Sequence, residues 1–128
     1  MNNLIPQHKD DKIIANELKK HSFEEIKPIV NELLLWVKDY NWPVARPITE
    51  YLSSHINEIT EELLMILKGN DDIWKYWCIN KLINNNNNQT LNSVIKTQLE
   101  RIVNKPTTSE IKEEVHIIAK ETLLKYKE

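Results

Sequence analysis

The sequence predicts an all-α fold, a short α-α superhelix of about seven helices in stacked antiparallel hairpins. Three observations predict it. Apolar residues recur every three to four positions along the chain, and no stretch alternates with period two as a half-buried strand would. Helix-start chemistry recurs as well: Ser22-Phe-Glu-Glu25 and Thr107-Thr-Ser-Glu110 both read as capping boxes. Finally, Glu32-Leu-Leu-Leu-Trp-Val-Lys38 returns 30 residues later as Glu62-Leu-Leu-Met-Ile-Leu-Lys68, with four identities in seven.

The elements follow in order. Asp10 and Asp11 can cap a first helix that carries Ile14 and Leu18 on one face. After the Ser22 box, Pro28 falls too soon to sit inside a helix and is expected to open the next one. That helix carries Ile29, Leu33, Trp36 and Val37 and stops before Tyr40-Asn41. Pro43 restarts a helix at Val44, with Ile48, Tyr51 and Leu52 in phase; Pro47, one turn inside, should bend it or leave a carbonyl unpaired. Ile59, Leu63, Ile66 and Leu67 mark the next helix, with Gly69 as its closing residue. Asp71 or Asp72 caps a helix through Ile73, Trp74, Trp77, Cys78 and Leu82. Asn84 to Asn88 form a loop, and Thr90 opens a helix carrying Val94, Ile95, Leu99, Ile102 and Val103. The Thr107 box leads into a last helix with Ile111, Val115, Ile118 and Thr122 on one face.

At the 30-residue offset the turn Asp39 to Trp42 lies over Gly69 to Asp72, and Val44, Ile48 and Leu52 lie over Trp74, Cys78 and Leu82. A weaker third copy begins at Leu99-Glu-Arg-Ile-Val-Asn104, displaced by the asparagine run. Asp39-Tyr-Asn-Trp-Pro-Val-Ala-Arg46 resembles the inter-helix turn of a HEAT repeat, in which an acidic turn precedes a Val and a nearby Arg. The fuller set comprises Leu4-Ile-Pro, Asn41-Trp-Pro-Val-Ala45 and Asp72-Ile-Trp-Lys-Tyr-Trp-Cys78. It resembles a bacterial family catalogued as domain of unknown function 5071. The resemblance runs from Leu4 to the last helix. It implies a small HEAT-like helical domain and brings with it no activity, substrate or catalytic residue.

Composition narrows the function classes. At 128 residues the chain is expected to form a single domain over 1–128 with one core. One glycine is too few for a phosphate cradle or a dinucleotide fingerprint, and one cysteine allows no intramolecular disulfide and no multi-cysteine zinc site. A net charge of −2 argues against nucleic acid as a partner. No apolar run approaches the roughly 20 residues of a membrane span, and the first residues lack a secretion signal, so a cytoplasmic location is expected. The 17 Ile, 15 Asn and 15 Lys reflect A/T-rich codons, and most of the asparagine is background.

Catalytic, metal and cofactor sites are not expected. His8, His21, His55 and His116 include no i, i+3 or i, i+4 pair. Glu113-Glu-Val-His116 resembles half of a di-iron motif but has no second copy, and His116 is expected to be solvated. Cys78 lies on the apolar stripe between Trp74 and Leu82 and is expected in the core. The adjacent carboxylates Glu24-Glu25, Glu61-Glu62 and Glu113-Glu114 point about 100° apart and make no acid–base dyad.

The tryptophans carry what remains. Trp42, Trp74 and Trp77 fall at or just after the turns between paired helices, where indoles can wedge hairpins together with each N–H on a turn carbonyl. Alternatively Trp42, Arg46, Trp74, Lys75 and Tyr76 form an aromatic-basic interaction patch, since Trp, Tyr and Arg are enriched at binding hot spots. Trp77 is expected in the core and Trp42 is the best placed for exposure. The favoured function is a non-enzymatic protein–protein interaction scaffold with an unknown protein partner. Its surface would be the second helices, near 43–54, 72–83 and 108–126, in a monomer or weak homo-oligomer. An immunity protein neutralising a bacterial toxin is the alternative, and an enzyme or nucleic-acid binder on a helical-repeat scaffold a lesser one.

Overall fold

The computed structural model describes residues 4–86 and 90–126. Every regular element among them is helical: α1 Lys12–Glu17, α2 Phe23–Ile26, α3 Val30–Leu35, α4 Ala45–Leu52, α5 Thr60–Leu67, α6 Asp72–Cys78, α7 Ser93–Asn104, α8 Thr108–Lys112 and α9 Val115–Lys125. Several are extended by tighter or wider turns. The 3-10 segments Leu18–Lys20, Lys27–Ile29 and Ser53–Ile59 join neighbours, and a π-turn over Ile79–Ile83 continues α6. α1 packs on α4, α5 on α6 and α7, and α9 on α6, α7 and the π-turn. Ile26, Leu33, Ile48, Leu52, Ile56, Leu63, Leu67, Ile79, Leu82, Leu99, Ile102 and Val115 fill one continuous core.

Local chemistry explains where most elements begin. Both capping boxes form: the Ser22 and Thr107 hydroxyls accept the amides of Glu25 and Glu110, whose carboxylates return to the cap amides. Asp71 caps α6 by accepting the Trp74 amide. Three starts differ from expectation. Asp11 stands at the α1 cap, but its carboxylate takes the Gln7 amide instead of a helix amide. Asn92 rather than Thr90 caps α7, because its side chain accepts the Val94 amide while its own amide is held by Asn57. Pro28 sits in the 3-10 turn before α3. The bend expected at Pro47 has no cause: α4 starts at Ala45, so Pro47 falls in the first turn, where amides lack intrahelical partners anyway.

The helix ends also bring corrections. Gly69 closes α5 by donating to the Ile66 carbonyl, yet its φ is not positive, so it is not a left-handed cap. Its hydrogen lies where a Cβ would come within 3.2 Å of the Met65 carbonyl oxygen. The expected single last helix is broken between α8 and α9 by Glu114, at φ 62°, the one non-glycine positive φ among the described residues. Past that break Val115, Ile118 and Thr122 are buried, but Ile111 is half exposed, because α8 no longer shares the phase of α9. Ile73 is exposed and Trp77 is partly buried, so neither is the core residue the pattern predicted. The asparagine run is structural where it is described. The Asn84 amide donates to Thr122 Oγ1 at 2.8 Å, and Lys125 reaches the carbonyl of Asn84 and its Oδ1. Asn87 and Asn88 of the predicted loop lie outside the described residues.

The sharpest departure is Lys75, which is 3% exposed. Its ammonium stands 2.8 Å from Asp72 Oδ1 and 2.8 Å from Glu110 Oε2. Glu110, wholly buried, is gripped from the other side by Arg101, with Nη1 at 2.6 Å from Oε1 and Nη2 at 2.9 Å from Oε2. The Thr107 amide donates to Oε1 as well. Two acids and two bases thus close a neutral network joining α6, α7 and α8. Burial on its own would raise the Glu110 carboxyl. Hydrogen bonds from Arg101, Lys75 and Thr107 outweigh it and hold the pKa down at about 2.

Two outcomes follow. Glu110→Ala leaves Lys75 and Arg101 without their shared acceptor and should cost about 3 kcal/mol at neutral pH, measured by urea unfolding. Because the folded pKa is depressed, the Glu110 contribution is complete above the ordinary carboxylate range, near pH 4.3, and is lost as pH falls towards 2. The gap between wild type and Glu110→Ala should therefore narrow over that window. Separately, Glu114→Gly should match or exceed the wild-type Tm, whereas Glu114→Val should lose about 1 kcal/mol, because a β-branched residue resists the left-handed conformation.

Candidate functional site: an apolar groove between two repeated helices

α3 and α5 are the helices that carry the repeated segment. Each buries one face, through Leu33 and Leu34 on α3 and through Leu63, Ile66 and Leu67 on α5. Lys27, just before α3, donates to the Glu58 carbonyl and pairs with Glu62 at 3.3 Å, which ties the two N-terminal ends together. At the other end the Trp74 indole Nε1 donates to the Leu34 carbonyl at 2.9 Å, and the Lys38 ammonium lies 4.7 Å from the Trp74 ring centroid. Joined at their starts and bracketed by one indole near their ends, α3 and α5 run in the same direction.

Between them lies a groove of about 320 Å³. Leu34, Ile66 and Trp74 form its floor, Leu35 and Met65 stand on its two walls, and Asn31, Glu32 and Glu62 rim one end. Leu35 is 47% exposed and Met65 76%. Wall residues of this kind lose contact with water only if something covers them. Leu35 and Met65 occupy equivalent positions of the 30-residue repeat, as do Glu32 and Glu62. The repeat therefore contained the signal for this site: an apolar residue out of phase with the buried face in both copies.

Of the five patch residues expected from sequence, the groove takes in only Trp74. Trp42 is partly buried and meets Trp36 edge-on, ring centroids 5.6 Å apart. Arg46 is exposed on the first turn of α4. Tyr76 lies about 200° around α6 from Trp74, since each helical residue turns about 100°. It packs edge-on against Trp77, which in turn stacks on Tyr40 with Lys81 above that ring. Lys75 faces inward to Glu110 and adds no charge to the surface. Consecutive positions on a helix point in different directions, so Trp74, Lys75 and Tyr76 serve three separate surroundings. The Trp74 indole N–H does bond a backbone carbonyl of an earlier helix, as a wedge would, but the acceptor Leu34 lies in the last turn of α3 and not in an inter-helix turn.

The remaining chemical groups are committed to packing or to the surface. Cys78 is fully buried, and that burial, with the nearby Asp71 charge, pushes its thiol pKa up. His55 Nδ1 lies 2.6 Å from Glu58 Oε1 with its ring stacked on Phe23, and His21 pairs with Glu25 at 3.5 Å. His116, expected in solvent, is only partly exposed, and its buried Nδ1 has no hydrogen-bond partner. It sits on the first turn of α9 beside the buried Val115. Among the described residues, no three His, Cys, Asp or Glu side chains are grouped to hold a metal ion, and no helix is long and apolar enough to cross a membrane.

No curated protein matches the chain. The family model described as Domain of unknown function (DUF5071) matches residues 4–123, nearly the whole length, and the chain belongs to that family.

Proposed function

We propose that this chain is a non-enzymatic protein-interaction module that receives its partner in the groove between α3 and α5. The observation that carries the proposal is the pair Leu35 and Met65, exposed apolar side chains at equivalent repeat positions on the two walls of one groove. Relative to the sequence expectation, this moves the binding face from the second helices of the hairpins to the first ones. The same proposal includes a HEAT-like stacking of hairpins, supported by two helices that run in one direction 30 residues apart. The non-enzymatic part draws support from the state of the reactive side chains. Cys78 is sealed in the core, and Glu110 is saturated by Arg101, Lys75 and Thr107, which leaves it no free lone pair for proton transfer.

Site-specific photo-crosslinking in the source cell tests this. With p-benzoylphenylalanine replacing Met65, a discrete adduct should form, and Leu35→Glu on the opposite wall should abolish it while leaving the helical CD signal intact. Ile13, 79% exposed on α1 and outside the groove, is the control position. Identical adducts from the Met65 and Ile13 probes, or a Met65 adduct that survives Leu35→Glu, would refute the groove as the binding face.

A further inference from the structure

We infer that the partner seated on the α3–α5 face is a second copy of this chain, docked antiparallel about a two-fold axis that crosses both helices near Leu35 and Met65. The inference rests on the reading of this face as an interaction surface and names its occupant.

Charge order along this face points to a second copy as its occupant. Glu32 precedes Leu35 by one turn of α3, and Lys38 follows it in the tighter turns just past the helix end, its amide donating to the Leu35 carbonyl; Glu62 and Met65 on α5, with Lys68 at its C-cap, repeat the order. Because α3 and α5 run in the same direction, the face is net acidic at one end, where Glu32 and Glu62 outnumber the Lys27 cation, apolar in the middle and basic at the other. Glu32 is exposed at the acidic end, and Lys38 covers Trp74 at the basic end. Lys68, exposed, stands at the end of α5.

A surface with that order is complementary to itself when reversed. A two-fold axis lying in the interface and perpendicular to the helices sets α3 against α3 of the second copy, running the opposite way. Glu32 then meets Lys38 of the second copy, and the Glu62 end meets the Lys68 end. Leu35 and Met65 each meet their own counterpart at the axis. An axis along the helices would set acid on acid and base on base, which like-charge repulsion disfavours, so the charge order selects one of the two isologous arrangements. The apolar contact is small and Glu62 is already paired with Lys27, so the association is weak, with a dissociation constant on the order of 100 µM, and it weakens further with salt.

Sedimentation equilibrium of the full chain from 10 µM to 1 mM, in low and high salt, is the test. The expected result is a mass rising from 15.2 kDa towards twice that value in low salt, with less association in high salt. Glu32→Lys places a cation against Lys38 of the second copy and should raise the dissociation constant at least tenfold. Adding Lys38→Glu to it reverses both charges and should restore association, an outcome that a merely misfolded variant would not give. Circular dichroism checks that each variant keeps its helical content. A chain that stays monomeric at 1 mM in low salt overturns the inference. So does association that Glu32→Lys leaves unchanged, since another face then mediates it, and so does a double variant that stays dissociated. A monomeric chain whose Met65 probe captures a different protein overturns self-docking while the groove stands; failure of the Met65 and Leu35 experiment removes the groove itself.

Discussion

The buried carboxylate of Glu110 draws together Lys75 on a helix from the middle of the chain, Arg101 on the helix just before its own and the cap of its own helix. Replacing such a network with well-packed apolar side chains can be neutral or even stabilising, because the charges lose their water. Its effect here is on register. A one-residue slip of α8 would carry Glu110 away from both Arg101 and Lys75 and leave its buried carboxylate without a counter-charge, which costs several kcal/mol. The arrangement of α6, α7 and α8 is therefore specified more narrowly than apolar packing alone would specify it, since Leu and Ile can exchange neighbours at small cost.

The groove inherits that constraint. With Lys75 pinned inward to Asp72 and Glu110, the position of Trp74 one residue earlier is set about 100° away, against α3. Its indole can then bond to the Leu34 carbonyl and floor the space between the two repeated helices. At the opposite end Lys27 ties Glu62 to the chain entering α3. A buried ion network on one side of α6 and a solvent-facing ion pair on the other side of the repeat thus hold an apolar surface open between them.

What could be read from sequence was what depends on near neighbours. The two capping boxes, the Asp71 cap and the helical character of each apolar stripe rest on residues three or four apart, and they formed. The family resemblance is upheld by the match over 4–123. Long-range partners were not readable. Lys75 looked like surface because its counter-charge Glu110 is 35 positions away, and burial of a lysine is rare without a partner. Glu114 gave no warning of its left-handed backbone, since glycine or asparagine would be the usual sign. Base composition accounts for most of the asparagine, yet Asn57 and Asn92 outside the run Asn84 to Asn88, and Asn84 within it, make specific long-range or capping bonds that depend on the fold to bring their partners close. The groove lies between these cases: its wall residues recur at one position of the repeat, out of phase with the buried stripe, but only the fold shows them exposed and side by side.

Cys78 has a consequence of a different kind. Its side chain lies in the hydrophobic core, with no exposure to solvent. A thiol so enclosed, and held in its protonated form, neither attacks disulfides nor meets peroxide or glutathione. It is also the chain's one cysteine, so folding requires no oxidant and makes no covalent crosslink within the chain. The redox poise of the surroundings therefore has no purchase on how this fold is held together; non-covalent contacts decide it.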